Sequence, residues 1–96
     1  MKTDRTLFRA IDIWRRATDD LVICYRCFEV IPDGGFCVQS ADHYYKAEPL
    51  KNRTYFDRNY IELLTESAPS DRSKVHKSLE DAIWSFRRDF GEATAS

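Results

Sequence analysis

Two runs of β-branched and aromatic residues, Leu21–Ile31 and Phe36–Tyr45, flank the tetrapeptide Pro32-Asp33-Gly34-Gly35. No other feature of the chain narrows its fold as much. Such residues suit a pleated, packed surface. Proline presets the φ of a reversal, and glycine accepts the positive φ that a tight return demands. The segment therefore reads as an antiparallel hairpin. If Pro32 and Gly35 close the turn, Ile31 lies opposite Phe36, Glu29 opposite Val38 and Cys24 opposite His43. One face then carries Leu21, Ile23, Tyr25, Cys27, Ile31, Phe36, Val38 and Tyr44. The other carries Val22, Cys24, Arg26, Phe28, Val30, Cys37, Gln39, Ala41, His43 and Tyr45. Neither face is cleanly polar, and a bulge at the glycines would change the opposed pairs.

The hairpin has to be covered. In residues 4–18, Leu7, Ala10, Ile11, Trp14 and Ala17 recur at helical spacing. Thr3 or Asp4 can cap that helix, Asp12 and Arg16 are an i,i+4 pair on its exposed side, and Thr18-Asp19-Asp20 ends it. Residues 46–58, marked by Pro49, Asn52 and Asn59, read as a connection. Residues 60–66 fit either period. As a strand, Ile61, Leu63 and Thr65 alternate with Glu62 and Glu66; as a helix from Asp57, Phe56, Tyr60, Leu63 and Leu64 align. The strand is preferred, because a hairpin alone is marginal. Ser67 to Lys77 is a polar loop. Ser78-Leu79-Glu80-Asp81 resembles a capping box ahead of the stripe Leu79, Ala82, Ile83, Phe86 and Phe90, with Gly91 as the stop. The expected fold is α+β: an N-terminal helix, a three-stranded antiparallel sheet and a C-terminal helix (αβββα) in a two-layer sandwich. Residues 1–90 form one domain and 91–96 a frayed tail.

The chain has 96 residues, with fifteen Lys and Arg against sixteen Asp and Glu. This balance, spread over both halves, offers no basic surface for nucleic acid or for an anionic membrane. Charged residues interrupt every apolar run near the N-terminus, so an export signal or a membrane span is not expected. Cys24, Cys27 and Cys37 are an odd number, which argues for reduced, buried thiols in the cytosol rather than a disulfide framework.

Three chemistries are within reach of these residue types. Cys24, Cys27, Cys37 and His43 are a legitimate zinc donor set. In a regular strand, however, residues three apart point to opposite faces, so Cys24 and Cys27 could not grip one ion. Cys24 with His43 could be the nucleophile and base of a small thiol enzyme, but no orienting group or oxyanion donor can be named. Tyr25, Phe28, Tyr44, Tyr45, Tyr55, Phe56 and Tyr60 could stack on bases, without the basic surround such binding needs. No catalytic residue, cofactor or metal is therefore assigned.

The functional expectation is a cytosolic, non-enzymatic protein-interaction module, an adaptor, inhibitor or regulator. Two helices cannot cover both sides of the sheet, so a protein partner or a second copy (a homodimer) would meet the uncovered face. With Leu21, Ile23, Cys27, Ile31, Phe36 and Val38 inside, the partner interface would be Val22, Arg26, Phe28, Gln39, His43 and Tyr45. A zinc-stabilised binding module is the alternative, and the thiol enzyme the third reading.

Overall fold

The computed structural model describes residues 6–47 and 49–90. It runs β1 (Leu7–Thr18), β2 (Leu21–Ile31), β3 (Phe36–Tyr45), α1 (Pro49–Glu66), α2 (Pro69–Arg72) and α3 (Leu79–Asp89). The strands form an antiparallel meander in the order β1-β2-β3. The chain is thus α+β with three strands, but its order is βββααα and its helices lie on both faces of the sheet.

The first correction concerns residues 4–18, where the expected helix is replaced by a long strand. The stripe at helical spacing coexists with a period of two: Ile11, Ile13, Arg15 and Ala17 are half-buried while Asp12, Trp14, Arg16 and Thr18 are exposed. Pairing with β2 decides between the two. Leu7 lies opposite Ile31, Ile11 opposite Cys27 and Thr18 opposite Leu21, so the backbone groups that face β2 are satisfied along the strand, while those on its outer edge have no neighbouring strand among the described residues. Thr18-Asp19-Asp20 does end an element, as the turn of a second hairpin in which Thr18 Oγ1 accepts from Asp20 N at 3.1 Å. Both aspartates keep negative φ, so the turn is not of the mirror-image type that matches strand twist. A bulge between Arg16 and Thr18 takes up the mismatch. Asp12 and Arg16 share a face, but four strand residues span about 13 Å, so they do not pair as they would on a helix. The expected cap at Thr3 or Asp4 lies outside the described residues.

The β2–β3 hairpin stands where it was expected, in a different register. Glu29 lies opposite Phe36 and Cys27 opposite Val38; beyond a bulge, Arg26 lies opposite Ser40, Cys24 opposite Asp42 and Ile23 opposite His43. Val30 and Gly35 close the turn, Val30 N donating to Gly35 O at 2.9 Å, and both glycines have positive φ, 87° and 96°. The bulge has a large consequence. The extra residue at Gln39–Ser40 inverts the rest of β3, sending Ala41, His43 and Tyr45 to one face and Asp42 and Tyr44 to the other.

The third correction is α1. It takes in both the expected connection and the expected third strand, starting at Pro49, whose missing N–H is no loss in a first turn. Phe56, Tyr60, Leu63 and Leu64 form its half-buried stripe, the alignment of the helical alternative for residues 60–66. α1 covers the face of Val22, Cys24, Arg26, Phe28 and Tyr44, where Phe28 stacks on Tyr60 (centroids 5.9 Å apart, planes within 2°) and Tyr44 meets Phe56.

α3 covers the opposite face. Ala82, Leu79, Ile83 and Phe86 pack with Ile23, Tyr25, Cys27 and Val38. Ser78 caps it, its side chain accepting from Asp81 N at 3.1 Å. Between the helices, the expected polar loop contains α2, and His76 bridges to Phe36 through paired 2.7 Å backbone hydrogen bonds. Gly91 and the expected tail lie outside the described residues. The molecule is therefore three-layered, α1 on one side of the sheet and α3 on the other, not a two-layer sandwich.

Candidate functional site

Of the six residues expected to meet a partner, Arg26, Phe28 and Gln39 are buried. Val22 is half-buried, His43 is half-buried on the far face, and only Tyr45 is exposed. The premise fails because α1, not a partner, occupies that face. Arg26 is the centre of the α1 contact. Its Nε donates to Asp42 Oδ2 at 3.0 Å, and Nη2 to Tyr44 Oη at 2.9 Å and Asp57 Oδ1 at 3.0 Å. Nη1 reaches Asp12 Oδ2 at 3.4 Å, and the guanidinium carbon lies 4.8 Å from the centre of the Tyr60 ring. Burial works against the charge, but Asp42, Tyr44 and Asp12 more than offset it and hold Arg26 protonated. One side chain thereby ties β1, β3 and α1 to β2, and fully satisfied networks of this kind rigidify a core. Nearby, Gln39 Nε2 donates to the Tyr60 carbonyl at 3.4 Å.

The zinc and thiol readings separate through the sheet. Cys24 and Cys37 lie on the α1 face, Cys27 and His43 on the α3 face, so the four side chains do not converge. Among the described residues no cluster of His, Cys, Asp and Glu could hold a metal. Cys24 lies opposite Asp42, not His43. All three thiols are buried and unbridged. Burial, followed by the charge of Asp12, pushes Cys24 up to about 12. Burial also lifts Cys27 to about 12 and raises Cys37. These are poor nucleophiles at neutral pH.

The aromatic side chains divide in the same way. Tyr25, Phe28 and Tyr44 are core, while Tyr55 on α1 and Trp14 on β1 remain 65% and 50% exposed. Trp14, Tyr44, Phe56 and Tyr55 form a chain of ring contacts with centroids 5.1 to 5.3 Å apart, running outward across the α1 face.

What the sequence reading missed is the edge of the sheet. β3 has its outer edge partly occupied: His76 bridges Phe36, Ser73 Oγ donates to the Val38 carbonyl at 2.6 Å, and Asn52 Oδ1 accepts from Tyr45 N at 2.8 Å. β1 has no strand beyond it among the described residues. On one side of this edge stands Trp14. On the other, Ile13 with Leu79, Ile83, Trp84 and Arg87 lines an open groove of about 410 Å³. The signal that could have found the edge was the alternation Ile11-Asp12-Ile13 inside the helical stripe.

No family model, curated protein or solved structure matches this chain. Among the described residues, no helix is long and apolar enough to cross a membrane.

Proposed function

We propose that this protein is a small non-enzymatic interaction module that binds a protein partner through the β1 edge of its sheet. The observation that carries the reading is β1 itself, a 12-residue strand at the border of the sheet. An open strand edge presents a row of backbone donors and acceptors, and an added strand supplies their partners. Side chains of that strand would alternate between Trp14 on one face and the Ile13–Trp84 groove on the other, which gives specificity to a backbone contact that has little of its own. The buried, weakly acidic thiols fit a reducing compartment such as the cytosol, where no disulfide is required.

Photo-crosslinking in native cells tests this. A benzophenone side chain placed at Trp14 should yield a discrete protein adduct, while the same group at Asp71, on α2 and away from the edge, should not. Equal labelling at both positions, or none at Trp14, overturns the proposal.

A further inference from the structure

We infer that the strand added at the β1 edge is the β1 strand of a second copy, antiparallel to the first and centred on Trp14; the inference rests on the edge-binding reading above. A two-fold axis through the sheet at residue c places residue i opposite residue 2c − i of the other copy, with both side chains on the same face. Centring on Asp12 sets that carboxylate against itself and Arg9 against Arg15. Centring on Arg15 sets that guanidinium against itself. Centring on Ile11 or Ile13 brings no opposite charges together. Centring on Trp14 places Asp12 opposite the second copy's Arg16, and by symmetry Arg16 opposite its Asp12. It also places Trp14 against Trp14 and Ile13 against Arg15, with no like charges directly opposed, and the pairing runs up to Arg16, where the bulge in β1 begins.

The residues concerned are accessible for these contacts. Asp12 keeps 43% of its side chain exposed beside Arg26. Arg16 is exposed and makes no ion pair among the described residues. Opposite charges directly across an antiparallel pair stabilise it, and like charges destabilise it. The spacing that keeps Asp12 and Arg16 apart within one strand thus becomes the spacing that joins them between two. The product is one continuous sheet made of two three-stranded halves, with the exposed faces of both Trp14 rings brought together at its centre.

The test combines sedimentation equilibrium of the full chain with two sets of variants. The wild type should be a dimer that weakens as salt is raised. Arg16→Asp alone and Asp12→Lys alone should each raise the dissociation constant on the order of ten-fold or more, since both charge pairs turn repulsive. Mixed one to one, the two variants should associate with each other, because the heterodimer restores both pairs. Independently of how Asp12→Lys folds, Trp14→Cys should oxidise to a covalent dimer and Ile13→Cys should not, the native thiols being buried. A monomer at every concentration, no association of the mixed variants, or cross-linking at position 13 in place of 14 overturns the inference. If the photo-crosslink at Trp14 then carries a different protein, edge binding survives and self-pairing fails. If it carries nothing, both fail.

Discussion

Arg26 Nε and Asp42 Oδ2 lie 3.0 Å apart across the β2–β3 ladder, with only 9% and 3% of the two side chains exposed. The ion pair is enclosed between the sheet and α1, the layer that sequence reasoning assigned to a partner. It turns a face built of Val22, Cys24 and Phe28 into a specific docking site for the protein's own helix.

Replacing Arg26 with Met should therefore destabilise the fold by about 3–5 kcal/mol, the usual cost of leaving a buried charge without its partner. Arg26→Met combined with Asp42→Leu should recover most of that loss. Urea unfolding of the single and double variants checks both values.

The cysteines predict an alkaline limit to stability. Unfolded thiols ionise near 9.0, whereas Cys24 and Cys27 hold their protons to about 12 in the folded state. Between these values the unfolded chain binds fewer protons, so stability falls as pH rises. At about 1.36 kcal/mol per unit, each thiol can remove up to about 4 kcal/mol by the top of that window. Stability measured against pH should decline less steeply in Cys24→Ala than in the wild type. Labelling of the native thiols should proceed only as fast as the protein opens.

The turn glycines should not be equivalent. Both have positive φ, but a Cβ on Gly34 meets open space, whereas one on Gly35 would stand 2.5 Å from Val75 Cγ1 and 3.2 Å from the His76 carbonyl. Gly34→Ala should cost about 1–2 kcal/mol from backbone conformation alone. Gly35→Ala should cost more, and Val75→Ala in the same chain should recover part of the difference. Thermal unfolding of the three variants checks the order.

Tyr60 stacks on Phe28 and roofs Arg26, so Tyr60→Ala should loosen α1 and cost about 3–5 kcal/mol, as for other large aromatic truncations. Because α1 covers an apolar sheet face, the variant should also bind an apolar dye that the wild type ignores. Tyr60→Phe, which keeps the ring, should do neither. Fluorescence titration with the dye separates the two.

The parts of the fold that were legible in the sequence are those with local causes. Pro32 and the two glycines can hardly serve anything but a reversal, and the β-branched runs beside them suit strands, so β2 and β3 were bounded correctly. Ser78 ahead of the Leu79–Phe86 stripe marked α3 because a side-chain oxygen three residues before a backbone N–H is a cap. The opposite-face placement of Cys24 and Cys27 followed from strand geometry alone.

The sequence by itself thus determined the central hairpin, the C-terminal helix and the placement of Cys24 and Cys27 on opposite faces of the sheet. Tertiary structure decided the rest. Residues 7–18 satisfy two periods at once, and they became a strand because β2 had an edge to pair. One extra residue at Gln39–Ser40 moved His43 and Tyr45 to the α3 face, a shift that no local preference announces. Residues 49–66 became a helix on the remaining face, where Phe56 and Tyr60 meet Tyr44, Phe28 and Arg26. In each case contacts with elements distant in sequence, which a local pattern does not encode, fixed the conformation.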